Sequence, residues 1–460
     1  MTEQAVAHVR REIESYLEGF KDLLRIPSVS TDPAYVADIQ RATIWITDHM
    51  RQIGLENVAI YPAEGGHPAL CGEWLGAGEN APTVLLYAHY DVQPPDPLDQ
   101  WETPPFEPTL RGEKLCARGI ADDKSGVWIL LKAIDALLKT EGRLPLNVKL
   151  IFEGMEEAGS LGMDVFIRDH QDLLDCDLIV IADGGASPAR PVILSGVRGV
   201  TGAEVWVQGP AADLHSGLLG GGVNNPLHVM GKIIASFHDE VGNILIPGFY
   251  DNVLTPDEAE RQEMADLDEP RIAAYRERFG EWTVWGDDAY SFTERTTVRP
   301  TLDINGIYGG YQGAGGKTII PASGGFKVTM RLVPNQDPSD ILDKFVAHVM
   351  SFADDTASIS IETEMAYQPS LMLPAGSPAV EALQRAYEAA WGMRASVERA
   401  GGSVPIVSLF EQYLDAPITN LSLSIGGQIH SPNEYMWVDY VEKGIVTTIY
   451  ALTEWADALK

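Results

Sequence analysis

Four apolar runs in this 460-residue chain end in acidic or histidine side chains. TVLLYA leads into His89-Tyr90-Asp91, NVKLIF into Glu153 and then Glu156-Glu157, DLIVIA into Asp183, and LSLSI into Gly426, Gly427 and His430. Asp122, in ARGIADDKSG, stands at the entry to a helical pattern. Taken singly these are ordinary: a His-x-Asp pair or a Glu-Glu pair is usually solvated, and an Asp after a strand is usually a turn or an N-cap. Their repetition at strand ends is not ordinary, because open α/β sheets bind ligands just beyond the carboxyl ends of their strands. Two histidines and three carboxylates make a donor set for two divalent ions, with zinc, manganese or cobalt suited to it. Two ions about 3.5–4 Å apart can activate one bridging water and polarise a carbonyl. Asp122 is expected to bridge. Of Glu156 and Glu157, one would bind metal and the other act as general base. His89 and Asp91, at i and i+2, are expected to face one side, the carboxylate holding the imidazole from behind.

The elements that must position these groups follow from periodicity. Val6, Val9, Ile13, Leu17 and Phe20 mark one helix face, closed by Pro27. A second helical pattern runs from about Val36 to Ile53, and others cover about Lys124 to Lys139 and Met163 to Leu174. Between them lie the strands NVAIY, ALCGEWL, TVLLYA, NVKLIF and DLIVIA, a pattern of α/β class with a mostly parallel sheet covered on both faces. Near Gly196 the character changes. VTGAEVWVQG, TLDINGIY, GFKVTMRLV and SISIETEMAY read as strands, with helices after Pro226 and Pro338, and the segment from Asp251 to about Arg295 is acidic and mainly helical. This is a two-layer α+β unit. Beyond about Gln368 the α/β pattern returns, with the helix PAVEALQRAYEAAW, the helical stretch SVPIVSLFEQYL, the strand ITNLSLSI and a last helix near Tyr440 to Leu459. The chain is therefore expected to form a catalytic metal-binding domain over 1–196 and 367–460, interrupted by an inserted domain over 197–366.

AHYDVQP, ARGIADDKSG, GMEEAGS, ADGG and HSPNE, in that order, resemble the motifs of the carnosinase–aminoacylase-type family of dinuclear metallopeptidases, peptidase family M20, and its cytosolic dipeptidase branch in particular. The resemblance implies a zinc-exopeptidase-like catalytic domain. It implies that His89, Asp122 and Asp183 bind one metal and that Asp122, Glu157 and His430 bind the other, most simply two zinc ions per subunit. It makes Glu156 the general base and Asp91 the carboxylate behind His89, and it implies a cis Asp122–Asp123 peptide. The inserted domain then resembles the family's lid and dimerisation domain. Within it, His215 in DLHSG matches the histidine that reaches the partner subunit's site of a homodimer to stabilise the oxyanion. Arg331 in VTMRLVP matches the arginine that binds the substrate carboxylate, a task for a bidentate fork. Thr318 and Ser403 match supporting substrate contacts. The implied activity is hydrolysis of dipeptides or short peptides with a free C-terminal carboxylate. The rival is an N-acyl-amino-acid amidohydrolase using the same site. Gly184 and Gly185 depart from carnosinase-like dipeptidases, which carry a polar–aromatic pair there, so the pocket is expected to differ in shape. Ala88, where many relatives have Gly, touches no ligand.

Composition excludes other classes. Lys+Arg is 33 against Asp+Glu 66, a formal net charge of -33, which argues against nucleic acid and against an anionic membrane surface. Cys71, Cys116 and Cys176 are too few and too scattered for a disulfide framework, as expected of a cytoplasmic protein. The opening segment is amphipathic and charged, unlike a signal peptide, and no apolar run is long enough to span a bilayer. GGYQGAGGKT, Gly309 to Thr318, ends like a phosphate loop but has Tyr311 where that pattern needs Gly, and Ile319-Ile320-Pro321 follows instead of a helix. It reads as a Gly-rich loop or hairpin. A non-catalytic scaffold would lack a ligand or the base, and none is missing.

Overall fold

The computed structural model describes residues 2–184, 190–367 and 369–460. Contacts divide the chain into two compact units, Met1–Gly196 with Leu371–Glu398 and Pro405–Lys460, and Val197–Ser370 with Arg399–Val404. Residues 367, 369–370 and 399–404, expected with the flanking α/β segments, thus group with the inserted unit.

The first unit is built on a six-stranded sheet. In spatial order its strands are Glu56–Tyr61, Ala69–Trp74, Asn147–Glu153, Thr83–His89, Leu178–Ile181 and Ile418–Asn420. The last four run parallel, and the first two are antiparallel additions at one edge. Parallel strands are covered on both faces and so need continuous apolar sequence. Val84 through Ala88 and Leu178 through Ile181 are accordingly buried. On one face lie the helices Thr2–Leu24, Lys124–Glu141, Pro378–Trp391 and Asp439–Ala458, where Phe20 stacks on Trp128 at 6.2 Å. On the other, Phe410 of the helix Pro405–Tyr413 meets Tyr87 edge-on at 5.7 Å.

One expected strand is shorter than its sequence. ITNLSLSI is extended only over Ile418–Asn420. Side-chain hydrogen bonds take over from the ladder there. Asn420 Nδ2 donates to the carbonyls of Ile181 and Asp183 at 3.1 and 2.6 Å, and the Tyr387 hydroxyl donates to the Ser422 carbonyl at 2.8 Å.

The second unit has a four-stranded antiparallel sheet ordered Thr301–Gly309, Ser323–Leu332, Gly199–Gln208 and Ser358–Tyr367. The helices Pro226–Ala235 and Pro338–Met350 supply Val229, Ile233, Ile341 and Phe345 to a core shared with Val205, Phe326 and Val328 of the strands. This is the two-layer arrangement. Among the described residues, no helix is long and apolar enough to cross a membrane.

Candidate active site

The carboxyl ends of the parallel strands fix the first unit's polar cluster. His89 ends its strand opposite Glu153 in the register of the neighbouring strand. Asp122 precedes the helix Lys124–Glu141, whose N-cap is Asp123, with its Oδ1 accepting from Gly126 N at 3.1 Å. Only glycine fits at Gly126: a Cβ there would lie 2.5 Å from Asp123 Oδ1 and 2.7 Å from the Ala182 carbonyl. That close approach seats the helix start, and Asp122 with it, against the strand end that carries Asp183. The Asp122–Asp123 peptide is cis.

Potential ligand atoms of His89, Asp122 and Asp183 lie within 4.8 Å of one another, and so do those of Asp122, Glu157 and His430. Asp122 belongs to both groups. Its Oδ1 is 3.1 Å from His89 Nε2, and its Oδ2 is 2.9 Å from His430 Nε2. His430 Nε2 also lies 3.1 Å from Glu157 Oε2. Glu156 belongs to neither group, its Oε2 standing 4.0 Å from His89 Nε2. Asp91 is fully buried behind His89, with its Oδ1 3.3 Å from Nδ1. The same carboxylate accepts the backbone N–H groups of Glu156 and Glu157, each at 3.2 Å. Asp91 therefore orients the imidazole and the glutamate pair together.

Charge makes this arrangement informative. Among the described residues, no Lys or Arg pairs with Asp122, Glu156, Glu157 or Asp183; imidazoles pair with the first three, and Asp183 shares a donor group with His89. The free protein answers by shifting protons. Burial first, and Asp122's charge second, raise Asp183 to about 6. Burial also raises Glu156 and Glu157, against the pull of the nearby histidines. Hydrogen bonds to Asp122 and Glu157 lift His430 to about 10. Buried carboxylates with too few positive partners are costly without a cation. Oxygen and imidazole donors in two overlapping groups fit a pair of divalent ions.

Several positioning groups were not legible in the sequence. Glu434 is fully buried and accepts from Arg118 Nη1 at 2.7 Å, from Gly119 N and Ala121 N at 2.9 Å each, and from Asp122 N at 3.2 Å. It stands four residues after His430 and so ties that turn to the one bearing Asp122. Gln93 Nε2 donates to Glu157 Oε2 at 2.8 Å. HSPNE and YDVQP contain both residues, but nothing in their local sequence separates them from solvated polar side chains. Glu153, a strand-end acid, is buried outside both donor groups, and burial with Asp91's charge pushes its carboxyl up to about 8. Gly184 adopts φ 111°, a conformation suited to glycine. Gly185 lies outside the described residues.

The remaining sequence-derived residues lie in the second unit. His215 pairs with Ile319, and its exposed ring accepts Gly217 N–H at Nδ1, 3.0 Å away. With Nδ1 accepting, Nε2 is the ring nitrogen left to donate. Thr318 is adjacent, its carbonyl accepting Ser216 N at 3.0 Å. Arg331 Nη1 donates to Ser403 Oγ at 2.9 Å. The unit thus brings His215 to Thr318 and Arg331 to Ser403. The Gly-rich stretch before Thr318 is loop, followed by the short strand Ile319–Ile320 rather than a helix.

The model of the peptidase family M20/M25/M40 matches residues 85–454. The chain belongs to this family. Its relatives include the Cys-Gly metallodipeptidase DUG1 of Candida albicans, 31% identical over 94% of this chain and 93% of that protein. The human Beta-Ala-His dipeptidase is 28% identical over 96% of this chain and 90% of its own. Among solved structures, the M20 family metallo-carboxypeptidase Sso-CP2 from Sulfolobus solfataricus superposes with a TM-score of 0.84 at 28% identity, covering 96% of this chain and 99% of that one. The M20 chain described here is accordingly a metallopeptidase.

Proposed function

We propose that this M20 peptidase hydrolyses dipeptides and short peptides with a free C-terminal carboxylate. The observation that carries the reading is the overlap of two donor groups on Asp122 with a non-ligating carboxylate, Glu156, beside them. The relatives' names as dipeptidases favour this reading over an N-acyl-amino-acid amidohydrolase.

His89, Asp122 and Asp183 would hold one ion, and Asp122, Glu157 and His430 the other, zinc being the first expectation and manganese or cobalt the alternatives. When bound, the ions supply Lewis acidity toward the scissile carbonyl and toward water. Glu156 takes a proton from the attacking water and delivers it to the leaving amine. Asp91 keeps His89 in the tautomer whose Nε2 faces the site. Arg331 binds the substrate's terminal carboxylate and sets the register. In a homodimer formed through the inserted unit, His215 donates from Nε2 to the oxyanion that develops in the partner subunit's site.

The test is a panel of dipeptides and acetylated or succinylated amino acids, using chelated protein re-supplied with zinc or manganese. Metal-restored cleavage of dipeptides supports the proposal. Cleavage of acylated amino acids alone moves the function to the amidohydrolase.

A further inference from the structure

Arg198 and Arg331 share the second unit, and Arg331 lies opposite Val200, two residues from Arg198, in the register of the central strands. Neither guanidinium forms an ion pair with any carboxylate whose side chain is described. Both are partly withdrawn from water. Burial, and then the neighbouring Arg331, pull Arg198 down to about 10, with Asp303 opposing from a distance. Two adjacent arginines without a counter-ion make a region ready for an anion.

The two are not equivalent. Arg331 uses Nη1 for Ser403 Oγ, and among the described residues its other donors have no protein partner. Arg198 is engaged with main chain. Its backbone N donates to the Gly402 carbonyl at 2.9 Å, Nε to the Gly401 carbonyl at 2.6 Å, and Nη1 to the Arg299 carbonyl at 3.4 Å. These bonds pin the 399–404 segment against the end of the helix Phe292–Thr297. The packing is tight, since a Cβ at Gly401 would sit 2.4 Å from the Thr296 carbonyl. Arg399 anchors the segment's start through Glu260 Oε1 at 2.7 Å.

We propose that Arg198 is a positioning residue for the substrate's free carboxylate: by fixing the 399–404 segment it sets Ser403 Oγ against Arg331, and so fixes where the Arg331 fork points. A guanidinium suits this task because its planar Nε and Nη1 donors diverge in a fixed geometry toward the Gly401 and Arg299 carbonyls of two separate segments. The inference rests on the reading of Arg331 as the carboxylate binder.

The experiment measures kcat and KM for a dipeptide and for its C-terminal amide, in wild type, R331M, R198M, R198K and G401A. G401A must displace the same segment while leaving both arginines in place. R331M should flatten the preference for the free acid. R198M and G401A should each raise KM for the free acid about tenfold, keep kcat within about threefold, and reduce the preference over the amide by about the same factor. R198K should fall between R198M and wild type. If R331M flattens the preference while R198M and G401A leave it and KM unchanged, the role of Arg198 is overturned and that of Arg331 stands. A loss confined to kcat also overturns it, as a general structural effect. If R331M leaves the preference intact, the carboxylate reading itself fails, and the proposal with it.

Discussion

Glu156 and Glu157 are neighbours in sequence with opposite assignments, so their amide variants give the sharpest test of the site. Glu157 Oε2 lies 3.1 Å from His430 Nε2 and accepts from Gln93, inside a donor group. Glu156 Oε2 is 4.0 Å from the nearest imidazole nitrogen, outside both groups. What holds Glu156 in place is its backbone N–H on Asp91, which an amide side chain leaves intact. Glu156→Gln should therefore keep both ions and the fold while removing only the proton acceptor. General acid–base catalysis contributes about 10²–10⁴-fold, or roughly 3–5 kcal/mol of barrier. Turnover of a dipeptide at saturating metal should fall by at least about a hundredfold, with KM little changed and metal content by atomic emission equal to wild type. Glu157→Gln should instead lower metal content. A metal-replete Glu156→Gln enzyme with kcat within about tenfold of wild type would refute the assignment of the base. So would an exchange of phenotypes, with Glu156→Gln losing metal and Glu157→Gln keeping it.

Other outcomes follow from the same geometry. Chelation should abolish activity and lower Tm, since the carboxylates lose their counter-charge. Restoring metal to about 100 times its Kd should return about 2.7 kcal/mol of stability for each ion bound, and calorimetry showing an unchanged Tm would argue against cation binding at these carboxylates. Glu434→Gln breaks a buried Arg118–carboxylate bond of 2.7 Å and places an amide donor among backbone N–H groups. It should cost about 3 kcal/mol in urea unfolding and weaken metal binding through Asp122. His49, whose Nε2 lies 2.7 Å from Lys132 Nζ, is held down at about 4 by burial and then by Lys132, from an ordinary 6.5. The unfolded chain therefore binds the extra proton first, and stability should fall as pH drops from about 6.5 to about 4, by up to about 3 kcal/mol; His49→Gln should flatten that slope in urea titrations. His215→Ala should cost about 10²–10³-fold in kcat. If it acts across a homodimer, mixing inactive His215→Ala with inactive Glu156→Gln subunits should restore activity through hybrids with one complete site, and no recovery after verified subunit exchange would count against action in trans.

What was legible in the sequence was what local pattern encodes. Apolar runs such as TVLLYA and NVKLIF mark buried parallel strands, because only strands covered on both faces need such continuity. The residue types just beyond them mark an edge where ligands gather. Groups whose partners lie far along the chain were not legible. Glu434 and Arg118 are 316 positions apart, and each alone reads as a solvated charge until the fold brings the HSPNE turn onto the turn before the helix at Lys124. LSLSI has strand character as sequence, yet the strand ends at Asn420, whose side chain donates to the carbonyls of Ile181 and Asp183. The 399–404 segment looks continuous with the α/β pattern around it, but Arg198, Arg299 and Thr296 hold it in the other unit.

The same contrast explains how the centre is built. Asp91 satisfies two backbone N–H groups and one imidazole, and Glu434 satisfies three backbone N–H groups and one guanidinium. Each has its oxygens taken up by neighbouring protein groups and so acts as a structural element. Asp122, Glu157 and Asp183 do not; their oxygens converge on one another and on two histidines, with no Lys or Arg among the described residues to balance them. A fold gains nothing from burying like charges unless something else neutralises them. The division between saturated and unsaturated carboxylates separates the residues that position the site from the residues that would hold the ions. Glu156 is the intermediate case, close enough to feel the site's charge and free enough to carry a proton.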